Sequence, residues 1–130
     1  MENCIFCKIV KGEIPAIKIW EGENSLAFLD INPMVPGHTL LIPKKHTDYL
    51  FDIGDDEYCG LMQDAKTVAK ILKQKMGTKR IGVVVEGFLV PHAHVHLLPI
   101  NRFEDMNPLN AKPAKIEDLK KIADKILKKD

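Results

Sequence analysis

Residues 92–98 read His-Ala-His-Val-His-Leu-Leu, three imidazoles at strict alternation. In an extended chain alternate side chains share a face, about 6.6 Å apart at i and i+2. His92, His94 and His96 are therefore predicted to line one face of a strand, with Ala93, Val95 and Leu97 turned to the core on the other. Three such rings in a row are poor packing material. Each needs hydrogen-bond partners when buried, and protonated together they repel. Three readings stand at this point: polar alternation on a surface strand, a structural metal site made by all three, or chemistry near neutral pH. For the last, imidazole is competent as nucleophile, base or acid.

A second reactive pair lies near the N-terminus, where Cys4 and Cys7 form a C-x-x-C. That spacing suits metal ligation or redox chemistry. No thioredoxin-like βαβ pattern surrounds it, which turns the reading away from redox. The third cysteine, Cys59, falls in an apolar helical pattern and is expected in the core. An odd count of three cysteines, with no secretory leader pattern, argues against a disulfide framework.

The elements that must position these groups read as follows. A short helix is predicted at 6–10, strands at 17–21 and 25–30 around the turn Gly22-Glu23-Asn24, and a third strand at 39–42 stopped by Pro43. The longest helix spans 55–76, with Asp55 as N-cap and Gly77 as stop. Its apolar face is Tyr58, Leu61, Met62, Ala65, Val68, Ala69 and Leu72. Strands follow at 81–86 and 91–98, the latter terminated by Pro99, and Ile116, Leu119, Ile122, Ala123 and Ile126 mark a final amphipathic helix. This order favours the α+β class: an antiparallel, meander-like five-stranded sheet with one long helix and short flanking helices.

The whole chain is one domain's worth at 130 residues. With 19 Lys+Arg against 18 Asp+Glu its net charge is +1, too balanced for a sequence-independent nucleic-acid binder. The lysines at 112–129 are interrupted by acids and read as a solvated helix face. No apolar run approaches the roughly 20 residues that span a bilayer, and the N-terminus lacks a signal-peptide pattern. A soluble cytoplasmic protein with a small ligand, and neither a nucleic-acid polymer nor a membrane as partner, is expected.

The stretch His92-Ala-His94-Val-His96-Leu97-Leu98 matches the His-φ-His-φ-His-φ-φ signature of the histidine-triad (HIT) proteins, φ being apolar. Cys-Ile-Phe-Cys-Lys-Ile-Val at 4–10, Ile14-Pro15, Leu26-Ala-Phe-Leu-Asp-Ile31 and Gly37-His-Thr-Leu-Leu-Ile-Pro-Lys-Lys-His46 resemble the Hint-like branch in the same order. The likeness covers roughly residues 3–100. It implies the HIT fold over 1–110; the final residues lie outside it, and 111–130 read from their own pattern as an amphipathic helix or tail packing on the same domain.

The resemblance also implies a function: hydrolysis or transfer at the α-phosphorus of a purine nucleotide, a phosphoramidate or a dinucleoside polyphosphate. His94 is the middle histidine, which in the family attacks phosphorus and forms a nucleotidyl-imidazole, its other nitrogen bonded to a backbone carbonyl. His96 would contact phosphate oxygens and help protonate the departing group. Asp30 matches the carboxylate that receives the ribose hydroxyls; Ile5, Phe6, Ile9, Phe28 and Ile31 match positions that sandwich the purine. Some bacterial members complete a structural zinc site from a C-x-x-C, the histidine after Pro-Lys-Lys and the first triad histidine, here Cys4, Cys7, His46 and His92. No metal is required for the chemical step. Family members are commonly homodimers, and the 55–76 helix is a candidate interface.

The chain departs from the pattern before the triad. Hint and Fhit relatives usually carry Gly-Gln there, and the aligned pair here is Gly87-Phe88 in a shortened loop, with Val85 or Glu86 at the usual asparagine. Backbone amides of Leu89 or Val90 are left to cradle phosphate oxygens. That departure motivates an alternative, a nucleotide-binding regulatory module with incidental or no turnover. His38 stands outside the triad and is given no chemical role.

Overall fold

The run Ser25–Leu29 is buried at every position, which a strand achieves only when both faces of its sheet are covered. The computed structural model, which describes residues 3–129, shows how. Five antiparallel strands, β1 (Lys18–Glu21), β2 (Ser25–Leu29), β3 (Thr39–Pro43), β4 (Arg80–Val84) and β5 (Val95–Ile100), lie in the order β1-β2-β3-β5-β4. The first three meander. β4 then takes the far edge, and β5 inserts between β3 and β4.

Helices α2 (Asp55–Met76) and α3 (Ile116–Leu127) cover one face. Leu61, Ala65, Val68 and Leu72 of α2 and Leu119, Ala123 and Ile126 of α3 share one core with Ala27, Leu29, Leu41, Val95 and Leu97. The short helix α1 (Ile5–Val10) covers the other face, where Phe6, Ile9, Leu26, Phe28, Leu40 and Ile42 form a second cluster with Cys4 and Cys7. Among the described residues no helix is long and apolar enough to cross a membrane.

Four sequence expectations need correction. Cys59 is exposed, not core: it stands two positions before Leu61, about 200° round the helix from the buried stripe. Asp55 is not the N-cap; Gly54 occupies it, and Asp55, Asp56 and Glu57 instead place three carboxylates in the first turn, where the helix dipole favours them. The last strand begins at Val95, so His92 and His94 precede it in a loop. It also runs through Pro99, which is opposite Ile81 of β4 and lies beyond the pairing with β3, whose first residue Thr39 is opposite Leu97.

Candidate active site

His96 is the one triad residue on a strand, opposite Leu40 of β3 and Val84 of β4. Cross-strand neighbours share a face, and Leu40 is in turn opposite Phe28 of β2. His96 therefore faces the α1 side. His92 and His94 are held by the loop's own hydrogen bonds: the His92 amide donates to the Val90 carbonyl at 2.8 Å, and the Ala93 amide to the Thr47 carbonyl at 2.6 Å.

The His94 ring is fixed chemically as well as sterically. Its Nδ1 lies 2.7 Å from the His92 carbonyl oxygen, which only accepts, so Nδ1 carries the proton and Nε2 keeps a free lone pair. Phe6 meets the ring edge-on with centroids 5.2 Å apart, and His96 stands at 5.0 Å. His94 is 5% exposed, buried enough to lose its rotational freedom.

His38, given no role from sequence, sets the tautomer of His96. The Met34 amide donates to His38 Nδ1 at 3.1 Å, so the neutral ring carries its proton on Nε2. That N–H points at His96 Nδ1, 2.9 Å away, with Asp30 Oδ2 at 3.5 Å. His96 must then hold its own proton on Nε2, which lies 3.9 Å from Glu86 Oε1. Burial pushes His96 down to about 4, with repulsion from His38 and His94 adding to it. Burial also lowers His38, against the pull of Asp30, and lowers His92. These three rings are neutral at pH 7. The signal for His38 was its place beside the buried Thr39–Pro43 strand; what was missing was the knowledge that β3 lies next to β5.

The four predicted metal ligands converge. Cys4 Sγ is 3.3 Å and Cys7 Sγ 3.5 Å from His92 Nδ1; His46 Nδ1 is 3.2 Å from Cys7 Sγ and 3.2 Å from His92 Nδ1. Around a tetrahedral ion at the usual bond lengths of about 2.0–2.1 Å to nitrogen and about 2.3 Å to sulfur, the edges would be about 3.4 Å N···N and about 3.6 Å S···N. The donors already stand near those separations. Cys4 is the N-cap of α1, its Sγ accepting from the Cys7 amide at 3.3 Å, so one turn presents both sulfurs to the same point. His92 Nε2 donates to the Pro43 carbonyl at 2.8 Å, which strips Nδ1 of its proton and aims its lone pair into the cluster. Burial and Cys4 raise the Cys7 thiol pKa, so a bound cation is what would make this sulfur a thiolate. The donor set fits zinc.

The predicted base-pocket residues divide. Phe6, Ile9 and Phe28 are packed in the α1 core, with Val90 against them. Ile5, Ile31 and Leu89 are exposed, Leu89 to 92%. Asp30 Oδ1 accepts from the Asn32 amide at 2.8 Å, and its other oxygen faces His38. Lys44 and Lys45 pair with Glu21 and Glu57. They border a cleft of about 720 Å³ at the start of α2 whose lining includes none of the histidines.

Comparison with known proteins identifies the family and matches the fold. A family model described as the HIT domain matches residues 11–103, and the chain belongs to the HIT family. It is 40% identical over 120 residues, 92% of its length and 75% of the relative's, to an adenosine 5′-monophosphoramidase of Saccharomyces cerevisiae. A Hit-like protein of Bartonella henselae superposes with a TM-score of 0.85 at 32% identity, covering 98% of this chain and 96% of that one. A zinc-bound histidine triad protein of Mycobacterium smegmatis gives 0.78 at 30% identity, covering 96% and 94%.

Proposed function

We propose that this protein is a nucleotide hydrolase or transferase acting at the α-phosphorus of a purine nucleotide, a phosphoramidate or a dinucleoside polyphosphate, through a nucleotidyl-His94 intermediate. The observation that carries the proposal is the 2.7 Å hydrogen bond from His94 Nδ1 to the His92 carbonyl, which fixes the ring and leaves Nε2 as the nitrogen for attack. Nε2 attacks phosphorus and forms a P–N bond as the bond to the leaving atom breaks. The departing atom keeps that electron pair and takes its proton from solvent, while the His96 Nε2–H steadies the charge by hydrogen bonding. Water then attacks phosphorus, the P–N pair returns to His94, and the surplus proton passes to solvent. A nucleoside monophosphate is released.

In this reading His38 is a positioning residue, holding His96 in the tautomer that presents its N–H to the substrate. Asp30 receives the ribose hydroxyls. Ile5 and Ile31 offer exposed apolar surface to the purine over the core of Phe6, Ile9 and Phe28, and the amides of Leu89 and Val90 face the phosphate. Cys4, Cys7, His46 and His92 would hold a structural zinc, which cross-links α1, the segment after β3 and the triad loop and supplies no reactive water. A cytoplasmic homodimer completes the proposal; β4, at the sheet edge with Val83 exposed, offers backbone for a second copy.

The test is hydrolysis of adenosine 5′-phosphoramidate by wild type and His94→Ala. Turnover that drops by at least about 10³-fold in the variant, with nucleotide affinity retained, is expected for loss of a covalent nucleophile. Well-folded wild type that binds nucleotide without turnover would favour the regulatory-module reading, for which Phe88, 88% exposed where relatives usually carry glutamine, is the motive.

A further inference from the structure

We propose that Glu86 sorts substrates by the charge of their leaving group, favouring amines, which depart as cations, over phosphates, which depart as anions. The proposal rests on the phosphorus chemistry set out above and names the substrates that chemistry accepts.

Glu86 follows β4 at the mouth of the histidine site. Its Oε1 lies 3.9 Å from His96 Nε2, and Glu86, His94 and His96 each place a polar side-chain atom within 4.8 Å of one another. Any phosphorus bonded to the His94 ring, and the atom leaving it, must therefore sit within a few ångströms of this carboxylate. The carboxylate is also held in place. Its Oε2 accepts from the Phe88 amide at 3.1 Å across Gly87, whose φ of 72° lies in the left-handed region that suits glycine.

Nothing else in the loop offsets its charge. Residues 85–91 read Val-Glu-Gly-Phe-Leu-Val-Pro, with no cation among them. Phe88 and Leu89 present apolar side chains to solvent, 88% and 92% exposed. Lys44 and Lys45 engage Glu21 and Glu57. With His38 and His96 neutral at pH 7, the side facing the leaving group carries net negative charge and an apolar lip. A polyphosphate leaving group would bring two or more negative charges against it. In a phosphoramidate the P–N bond breaks, its electron pair stays on nitrogen, and the amine takes protons from solvent to depart as an ammonium ion. That ion is attracted to Glu86, and an alkyl chain on it would find Phe88 and Leu89.

Glu86→Gln isolates the charge, because the amide oxygen still accepts from the Phe88 N–H. The probes are an adenosine 5′-phosphoramidate of a primary alkylamine and diadenosine tetraphosphate, each measured as kcat/KM with wild type, Glu86→Gln and Glu86→Lys. The amine-over-phosphate ratio should fall at least about tenfold in Glu86→Gln, the order expected for one unit charge facing a polyanion in partly exposed surroundings. It should fall further in Glu86→Lys, and the differences should shrink at high salt. A ratio that is unchanged or rises in both variants overturns the inference alone. Wild type that turns over neither compound overturns the phosphorus chemistry and this inference with it.

Discussion

Acidification should destabilise this protein through its buried imidazoles, and the share belonging to His96 can be isolated. Packed between β3 and β4 against His38 and His94, His96 is lowered from 6.5 to about 4 in the folded chain. The unfolded chain binds this proton below about 6.5 and the folded chain only near 4, so the stability is fully present above the unfolded value. It is lost as pH falls toward the folded one. At about 1.4 kcal/mol per pH unit for one proton, the His96 share is about 3 kcal/mol. His38 and His92 are lowered for the same leading reason, burial, and add in the same direction. The assay is urea unfolding of wild type and His96→Asn at several values between about pH 7 and pH 4.5. Wild type should lose about 2–3 kcal/mol more than the variant over that interval. Acid release of the proposed zinc would act on both proteins and cancel in the difference. Parallel curves would refute the reasoning, since they would mean that His96 titrates alike folded and unfolded.

If zinc is bound as proposed, Cys4→Ser should lose it and at least about 10 °C in Tm, a few kcal/mol for a domain of this size; metal analysis with calorimetry checks it, and an unchanged Tm on metal loss would contradict it. His38→Ala should lower kcat by about 10–100-fold with little change in KM. His38→Gln should recover part of that loss, because its amide can still donate to His96; steady-state kinetics of the pair separate positioning from general damage. Gly37→Ala should cost about 1–3 kcal/mol in urea unfolding. Gly37 has a φ of +86°, and a Cβ there would lie 3.0 Å from Pro99 and 3.1 Å from Met76.

The long helix was legible because its signals are local, an apolar stripe through Leu61 to Leu72 and Gly77 in the left-handed conformation at its end, though its cap is Gly54 and not Asp55. The convergence of Cys4 and Cys7 with His46 and His92 followed from family likeness, since the pattern of the sequence says nothing about which distant loops meet. Alternation correctly turned Ala93, Val95 and Leu97 into the core and the three rings to the other side, but it overextended the strand, which begins only at Val95. The His92 and Ala93 amides are engaged by Val90 and Thr47 instead of a neighbouring strand, and no local spacing records that competition. His38 was missed for a topological reason: its partner His96 is 58 residues away, and only the insertion of β5 beside β3 brings them together. Cys59 shows a finer limit, since an apolar residue type two places from the stripe still faces water.

The central claim is that His94 Nε2 carries the nucleotide. The most direct measurement is intact-protein mass spectrometry after mixing enzyme with adenosine 5′-phosphoramidate and quenching in base, where an acid-labile P–N adduct survives. Wild type should gain the mass of one adenylyl group, mapped to His94 by peptide sequencing, and His94→Ala should gain none and turn over nothing. Turnover that persists in His94→Ala, or an adduct that maps to another residue, would contradict the account.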